Sequence, residues 1–512
     1  MDIAALTQWT SALQALTPPQ QRELTQQLAS IPPITIAGKQ ASVLLAPLPL
    51  TPPAAAQLAQ AVYTLQDALV AIESHPSFLP GQVVYDRLYQ SLSAQGKYLV
   101  DHAPPVSPRT MRRRFRRIDG FLPLAPHSPG PQFIEVNQSA PLAISFYERT
   151  RQALAMTAAY VPAVQAAPAP GAPSTPGVAG SPSLYAALAD WFMDAAPDKL
   201  SLTVAVSMER GYPAKFVDLP AATAGIAQAA RERGVELRFV LAQPPEFRYQ
   251  SGRMTVRGHS FDVLWRNTVY LANYDVDIAD YQAIRYSPAV VQQNDLRAWL
   301  LRSKELFALA WDDTVQATLA AMGVDVPALR RIMPPTYSLA AAQQLDWQRT
   351  HRRQDYIAKR CDDGFGQGLV FGHQCTDRQW QALLAGSRGQ DWVVQQLVPV
   401  APVEVPLYTP GHGGYARLQP LHRGWYAGRG ARPGNAGSPA NGWPAGYEYR
   451  GGGGYRCLYR RGVDALAGIG QRAGHKLLYQ GGGGWDDGCI ECLLLCLAEG
   501  LEHKGRIAHT PP

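Results

Sequence analysis

The sequence predicts a multidomain protein built from α/β and α+β units behind a helical amino-terminal region. Three observations lead there. A chain of 512 residues exceeds what one ordinary hydrophobic core can serve, so two or three domains are expected. Between residues 185 and 300 strand-like and helix-like stretches alternate, the pattern of a small doubly wound sheet. From 301 to about 405 a helix, an extended segment, a strand, a glycine-rich loop and a second strand follow one another as an α+β unit.

Residues 1–80 read as helical hairpins punctuated by prolines, with the helix-forming stretches QQRELTQQLAS and AAAQLAQAVYTLQDALVAI. In 81–160 the pattern turns strand-like from Asp119 to about Asn137, and a helix is predicted over Ile144 to Tyr160. Residues 161–184 are almost wholly Ala, Pro, Gly, Ser and Val, too poor in large apolar side chains to offset their ordering entropy, which marks a linker. In 185–300, LSLTVAVSM reads as a strand, AATAGIAQAARERG as a helix closed by glycine, VELRFVLA as a strand, and FDVLWRNTVYL as a strand ending near Arg266. In 301–405, the helix NDLRAWLLRSKELFALAWDD carries Lys304 and is followed by RIMPPTYSL and the strands DYIAKR and WVVQQLVPV. Periodicity then stops abruptly. More than half of the 45 glycines lie beyond residue 410. The segment 406–512 is therefore either a disordered glycine-rich tail or the product of a shifted reading frame, and the abrupt stop favours the shift.

Composition narrows the class. Hydrophobic residues at 46% and charged residues at 17% argue against wholesale disorder. No apolar run approaches the length that spans a membrane, and the start has no basic segment leading into an apolar one. With sparse cysteines besides, a cytoplasmic protein without a membrane partner is expected. The net charge of +7 suits a polyanionic ligand. Cys489, Cys492 and Cys496 lack the fourth ligand that structural zinc requires. The basic run Arg112 to Arg117 stands outside any nucleic-acid-binding module, so nucleic acid is not the expected partner.

Two clusters carry chemistry. In FIEVN, strand alternation sends Ile134 and Val136 to one face and Glu135 and Asn137 to the other. Those two oxygen-bearing side chains, with Asp119 from an adjacent strand, make a site for a hard cation such as Mg²⁺. The competing reading is an ordinary polar strand. In YIAKRCDDGFGQGLVFG, Lys359 leaves a strand and enters a loop with Gly364, Gly366 and Gly368, where backbone N–H groups can approach phosphate oxygens. No GK[ST] closes this loop, so it is not a Walker A loop. A plain hairpin turn competes here.

The order SK, MPPT, YIAKR, GFGQGLVFG, WVVQQLV resembles the lysine-bearing half of ATP-grasp enzymes, and R-x-D followed by E-x-N resembles their magnesium half. The metal half precedes the lysines here, as in the circularly permuted group that includes glutathionylspermidine synthetase. The resemblance covers roughly residues 110–400. It implies that Asp119, Glu135 and Asn137 hold Mg²⁺ and that Lys304 and Lys359 contact ATP phosphates. It further implies that Gly364, Gly366 and Gly368 cover those phosphates, that Gln395 and Gln396 lie in the adenine hinge, and that Arg117 sits near the transferring phosphoryl group. The implied activity is ATP-dependent joining of a carboxylate to an amine, small molecules or peptides, through an acylphosphate, with ADP released. The hinge reads QQ where many relatives place a glutamate after the glutamine. An ATP-binding pseudoenzyme and, from another class, a basic nucleic-acid-binding or scaffold protein are the alternatives.

Overall fold

The computed structural model describes residues 3–33, 35–36, 39–40, 43–47, 50–101, 103, 115–122, 130–138, 144–161, 183–208, 219–243, 246–250, 253–266, 291–293, 296–347, 350–362, 368–386, 391–399, 403–408 and 419–421. Linker residues 162–182 and most of the glycine-rich tail, with Cys489, Cys492 and Cys496, lie outside the described residues.

The chain opens with helices α1 (Ile3–Gln14) and α2 (Pro18–Ala29), the second starting on a proline whose missing N–H costs nothing at a first turn. Three two-residue strands, β1 (Thr35–Ile36), β2 (Lys39–Gln40) and β3 (Val43–Leu44), follow where only helices were expected. Helix α3 (Pro52–Ser74) starts at Thr51, whose hydroxyl accepts from the Ala54 N–H, and α4 (Val83–Gln90) and α5 (Ala94–Asp101) complete the helical region. Strands β4 (Arg117–Phe121) and β5 (Gln132–Asn137) then pair antiparallel and lead to α6 (Ile144–Ala158).

After α7 (Leu184–Met193), capped by Ser183, the α/β alternation appears as read: β6 (Ser201–Ser207), α8 (Leu219–Arg231), β7 (Glu236–Ala242). Gly234 takes φ +78° behind α8, a conformation that glycine adopts without steric cost. A small antiparallel sheet of β8 (Phe247–Gln250), β9 (Arg253–Val256) and β10 (His259–Ser260) intervenes before β11 (Val263–Arg266) and β12 (Val291–Gln293). Strands β12, β11, β6 and β7 form one all-parallel sheet in that order. Its two faces enter two different cores, as a parallel sheet requires. Val204, Val206, Val263 and Trp265 pack with the helices α1, α2, α6, α7 and α8, whereas Ala205, Ala242 and Leu264 pack with α3, α4, α5 and the chain beyond residue 296.

A 3₁₀ segment over Leu296–Arg302 precedes α9 (Glu305–Trp311), α10 (Gln316–Ala321) and α11 (Val326–Ile332). The expected continuous helix through Lys304 is therefore broken. Its cause is a distant segment: the Lys304 N–H donates to the carbonyl of Cys361 at 3.1 Å instead of to a carbonyl one turn earlier. The last unit joins β13 (Thr336–Ser338), α12 (Leu339–Gln343), β14 (Tyr356–Arg360), β15 (Leu369–Phe371), α13 (Asp377–Gly386) and β16 (Trp392–Gln396). Its sheet runs β13, β16, β14, β15, every neighbour antiparallel, over a core of Trp347, Tyr356, Trp380, Leu384 and Val394. Strand β17 (Val403–Val405) then pairs with β19 (Gln419–Leu421), and β18 (Leu407–Tyr408) returns to pair with β3. Among the described residues no helix is long and apolar enough to cross a membrane.

Candidate active site

The β4–β5 pair positions four of the residues singled out in the sequence. Arg117 lies opposite Asn137, Ile118 opposite Val136, and Asp119 opposite Glu135. Alternation puts Arg117, Asp119, Glu135 and Asn137 on one face. Ile118 and Val136, each 1% exposed, are sunk into the core on the other. The register slips between Asp119 and Gly120, which is where the polar face ends.

Arg117 grips Asp119 with both ends of its fork, Nε to Oδ1 at 2.8 Å and Nη2 to Oδ2 at 2.9 Å. Asn137 also donates Nδ2 to Asp119 Oδ2 at 2.9 Å, which leaves its amide oxygen out of that bond. Burial pushes the Asp119 carboxyl above its ordinary range, against the pull of Arg117. Glu135 behaves oppositely. Burial alone would raise it, but Lys304, Lys359, Arg117 and Arg302 together hold it below the usual value. Lys304 Nζ stands 3.3 Å from Glu135 Oε1.

Lys359 arrives from the antiparallel sheet. Its ammonium donates to Gln395 Oε1 at 2.7 Å, and Gln395 in turn donates Nε2 to Thr336 Oγ1 at 3.0 Å. All three side chains are buried. Gln395 thus orients a lysine, whereas the hinge position expected of it concerned adenine. Gln396 ends the strand with its N–H on the carbonyl of Pro335 at 2.8 Å. Gly368, at φ +65°, returns the chain into β15 and accepts from the Arg360 N–H at 3.2 Å. Gly364 and Gly366 lie outside the described residues.

The fold therefore gathers Arg117, Asp119, Glu135, Asn137, Lys304 and Lys359, which are scattered through the sequence, around one carboxylate pair. Among the described residues no three His, Cys, Asp or Glu side chains cluster as a metal site. Two carboxylates and one amide oxygen nonetheless suit Mg²⁺, which prefers hard oxygen donors and keeps several waters and phosphate oxygens. Sequence reasoning missed Arg302 and Asp362. Arg302 stacks 4.2 Å over the Trp299 ring and donates Nη2 to the Asp362 carbonyl at 2.8 Å. Both stand inside stretches singled out in the sequence, Arg302 before Lys304 and Asp362 after Lys359, but their nearness to the two lysines was the only signal of a role.

No family model matches the sequence. No curated protein matches it either. Among solved structures, the chain is similar to a glutathione synthetase-like effector from Globodera pallida in its apo form, with 11% identity and a TM-score of 0.50. The match covers 78% of this chain and 85% of that one. At such identity the likeness is one of fold: a mixed α/β architecture of the glutathione synthetase-like kind.

Proposed function

We propose that this chain binds Mg-ATP in an ATP-grasp site assembled in circularly permuted order and uses it to ligate a carboxylate to an amine. One observation carries the reading: the acidic and amide face of β4–β5 meets Lys304 at 3.3 Å from Glu135 and lies within the field of Lys359. The glutathione synthetase-like fold of the neighbouring structure is compatible with it.

Asp119, Glu135 and Asn137 would hold Mg²⁺, whose charge neutralises phosphate oxygens. Lys304 and Lys359 bring two further positive charges from separate elements, so the polyphosphate is held from both sides. Such positioning and charge neutralisation are what phosphoryl transfer demands of a protein. Arg117, locked on Asp119, presents a fixed cation beside the transferring group. A carboxylate oxygen of the substrate attacks the γ-phosphorus and ADP leaves. The amine then displaces phosphate from the acylphosphate to form the amide. A second reading, ATP retained without ligation, is supported by the two-point hold of Arg117 on Asp119, which already engages both oxygens.

Titration calorimetry and product analysis test both. ATP binding is expected to require Mg²⁺, and the products with an acid and an amine to be ADP and phosphate. Glu135→Gln and Lys359→Met are each expected to cost about 3–4 kcal/mol of transition-state stabilisation, roughly two to three orders of magnitude in rate. AMP and pyrophosphate as products would sink the acylphosphate route. ATP binding without turnover on any acid–amine pair would favour the second reading.

A further inference from the structure

Asp362 lies three residues beyond Lys359, within the YIAKRCDDGFGQGLVFG stretch but given no role there, and its bonding is unusually complete. Its carboxylate accepts from the Ser93 N–H at 2.9 Å, from the Ser93 hydroxyl, and from Trp299 Nε1 at 2.9 Å. Arg302 Nε stands 3.6 Å from Oδ1, and the same guanidinium takes the Asp362 carbonyl at 2.8 Å while stacking on Trp299. The side chain of Asp362 is 6% exposed and that of Arg302 12% exposed. Room for this knot depends on Gly96, because a Cβ there would meet Trp299 Nε1 at 2.7 Å and Asp362 Oδ2 at 2.8 Å.

Three separate elements are tied at this point: the start of α5 through Ser93, the 3₁₀ segment through Trp299 and Arg302, and the end of β14 through Asp362 itself. The residue on one side of the knot, Cys361, receives the Lys304 N–H. Arg302, on the other side, also lowers the carboxyl of Glu135. The knot therefore adjoins both lysine-bearing segments: Asp362 follows Lys359 along the same stretch of chain, and the carbonyl beside it, that of Cys361, accepts from the Lys304 N–H.

We propose that Asp362 is a positioning residue: clamped by Ser93, Trp299 and Arg302, it fixes the end of the Lys359 strand against the turn that carries Lys304, setting the distance between the two ammonium groups that hold the polyphosphate. The proposal rests on the Mg-ATP reading given above. A buried carboxylate with three donors and a cation holds one geometry, because any displacement leaves a charged group unpaired.

Mg-ATP affinity and melting temperature of the full chain test it, using Asp362→Ala, Trp299→Phe, Lys304→Met and the double variant Asp362→Ala/Lys304→Met. Asp362→Ala is expected to weaken Mg-ATP binding about tenfold. Trp299→Phe, which keeps an aromatic face for Arg302 but removes the indole N–H donor, is expected to weaken it about threefold and to lower the melting temperature while the chain still folds. Asp362→Asn, retaining an acceptor oxygen, should recover part of the loss. In the Lys304→Met background Asp362→Ala should add little, because the group it positions is gone. Equal losses in both backgrounds, or unchanged affinity in Trp299→Phe, would overturn the clamp while leaving the Mg-ATP reading intact. Unchanged affinity in Lys304→Met would overturn both. Should Asp362→Ala fail to fold, Trp299→Phe decides alone.

Discussion

Glu305 follows Lys304 directly and faces away from the acidic face. It is 1% exposed, its Oε1 accepts from Arg87 Nε at 2.9 Å, and its Oε2 has no hydrogen-bond partner among the described residues. Burial pushes its carboxyl up to about 7, although Arg87 pulls the other way. The folded chain thus keeps a proton that the unfolded chain releases near 4.5, so raising the pH from about 5 towards 8 destabilises the fold. The contribution is about 3 kcal/mol. Melting temperatures across that range should fall more steeply for the native chain than for Glu305→Gln, and parallel slopes would refute the assignment. Alternation made Glu135 and Asn137 legible as one face, because a strand fixes which side chains share a face, whereas Asp119 came from an adjacent strand and the R-x-D resemblance. Gln395 was legible as a strand residue but not as the partner of Lys359. Its neighbour across the sheet is set by pairing between distant segments, which periodicity does not encode.

Elements with strong periodicity, such as α3, α8, β6, β7 and β14, appear where the sequence placed them. The misread ones are short or externally determined. Strands β1, β2 and β3 have two residues each, too few for a period. The break at Lys304 follows from a carbonyl of Cys361, far along the chain. The β4–β5 ribbon depends on Gly120 at its register slip, where an added Cβ would stand 2.6 Å from the Gln132 carbonyl oxygen and 2.8 Å from the Phe133 ring. Backbone cannot yield cheaply there. Gly120→Ala is expected to destabilise by about 1–3 kcal/mol, read from denaturant midpoints. A change below a few tenths of that would mean the ribbon is slack.

At the scale of the molecule, the alternation of strands and helices revealed the parallel sheet, whereas the sharing of its two faces between two cores was invisible to local pattern. Gln419–Leu421 pair with Val403–Val405, and residues 409–418 lie outside the described residues. A shift of reading frame, if it explains the loss of periodicity, is expected around codon 410, where the periodicity stops. Nucleotide sequencing of that region checks this: an alternative frame restoring apolar alternation supports the shift, and a verified single frame removes it. The pairing of β18 with β3 has a different consequence. Leu407 and Tyr408 lie against Leu44 and Val43, and the Leu45 N–H bonds the Pro406 carbonyl at 2.9 Å, so the path between them closes like a buckled belt. Loss of residues 403–408 is expected to strip β3 of its strand partner and the Leu45 N–H of its acceptor, although some three hundred and sixty residues separate the two in the sequence.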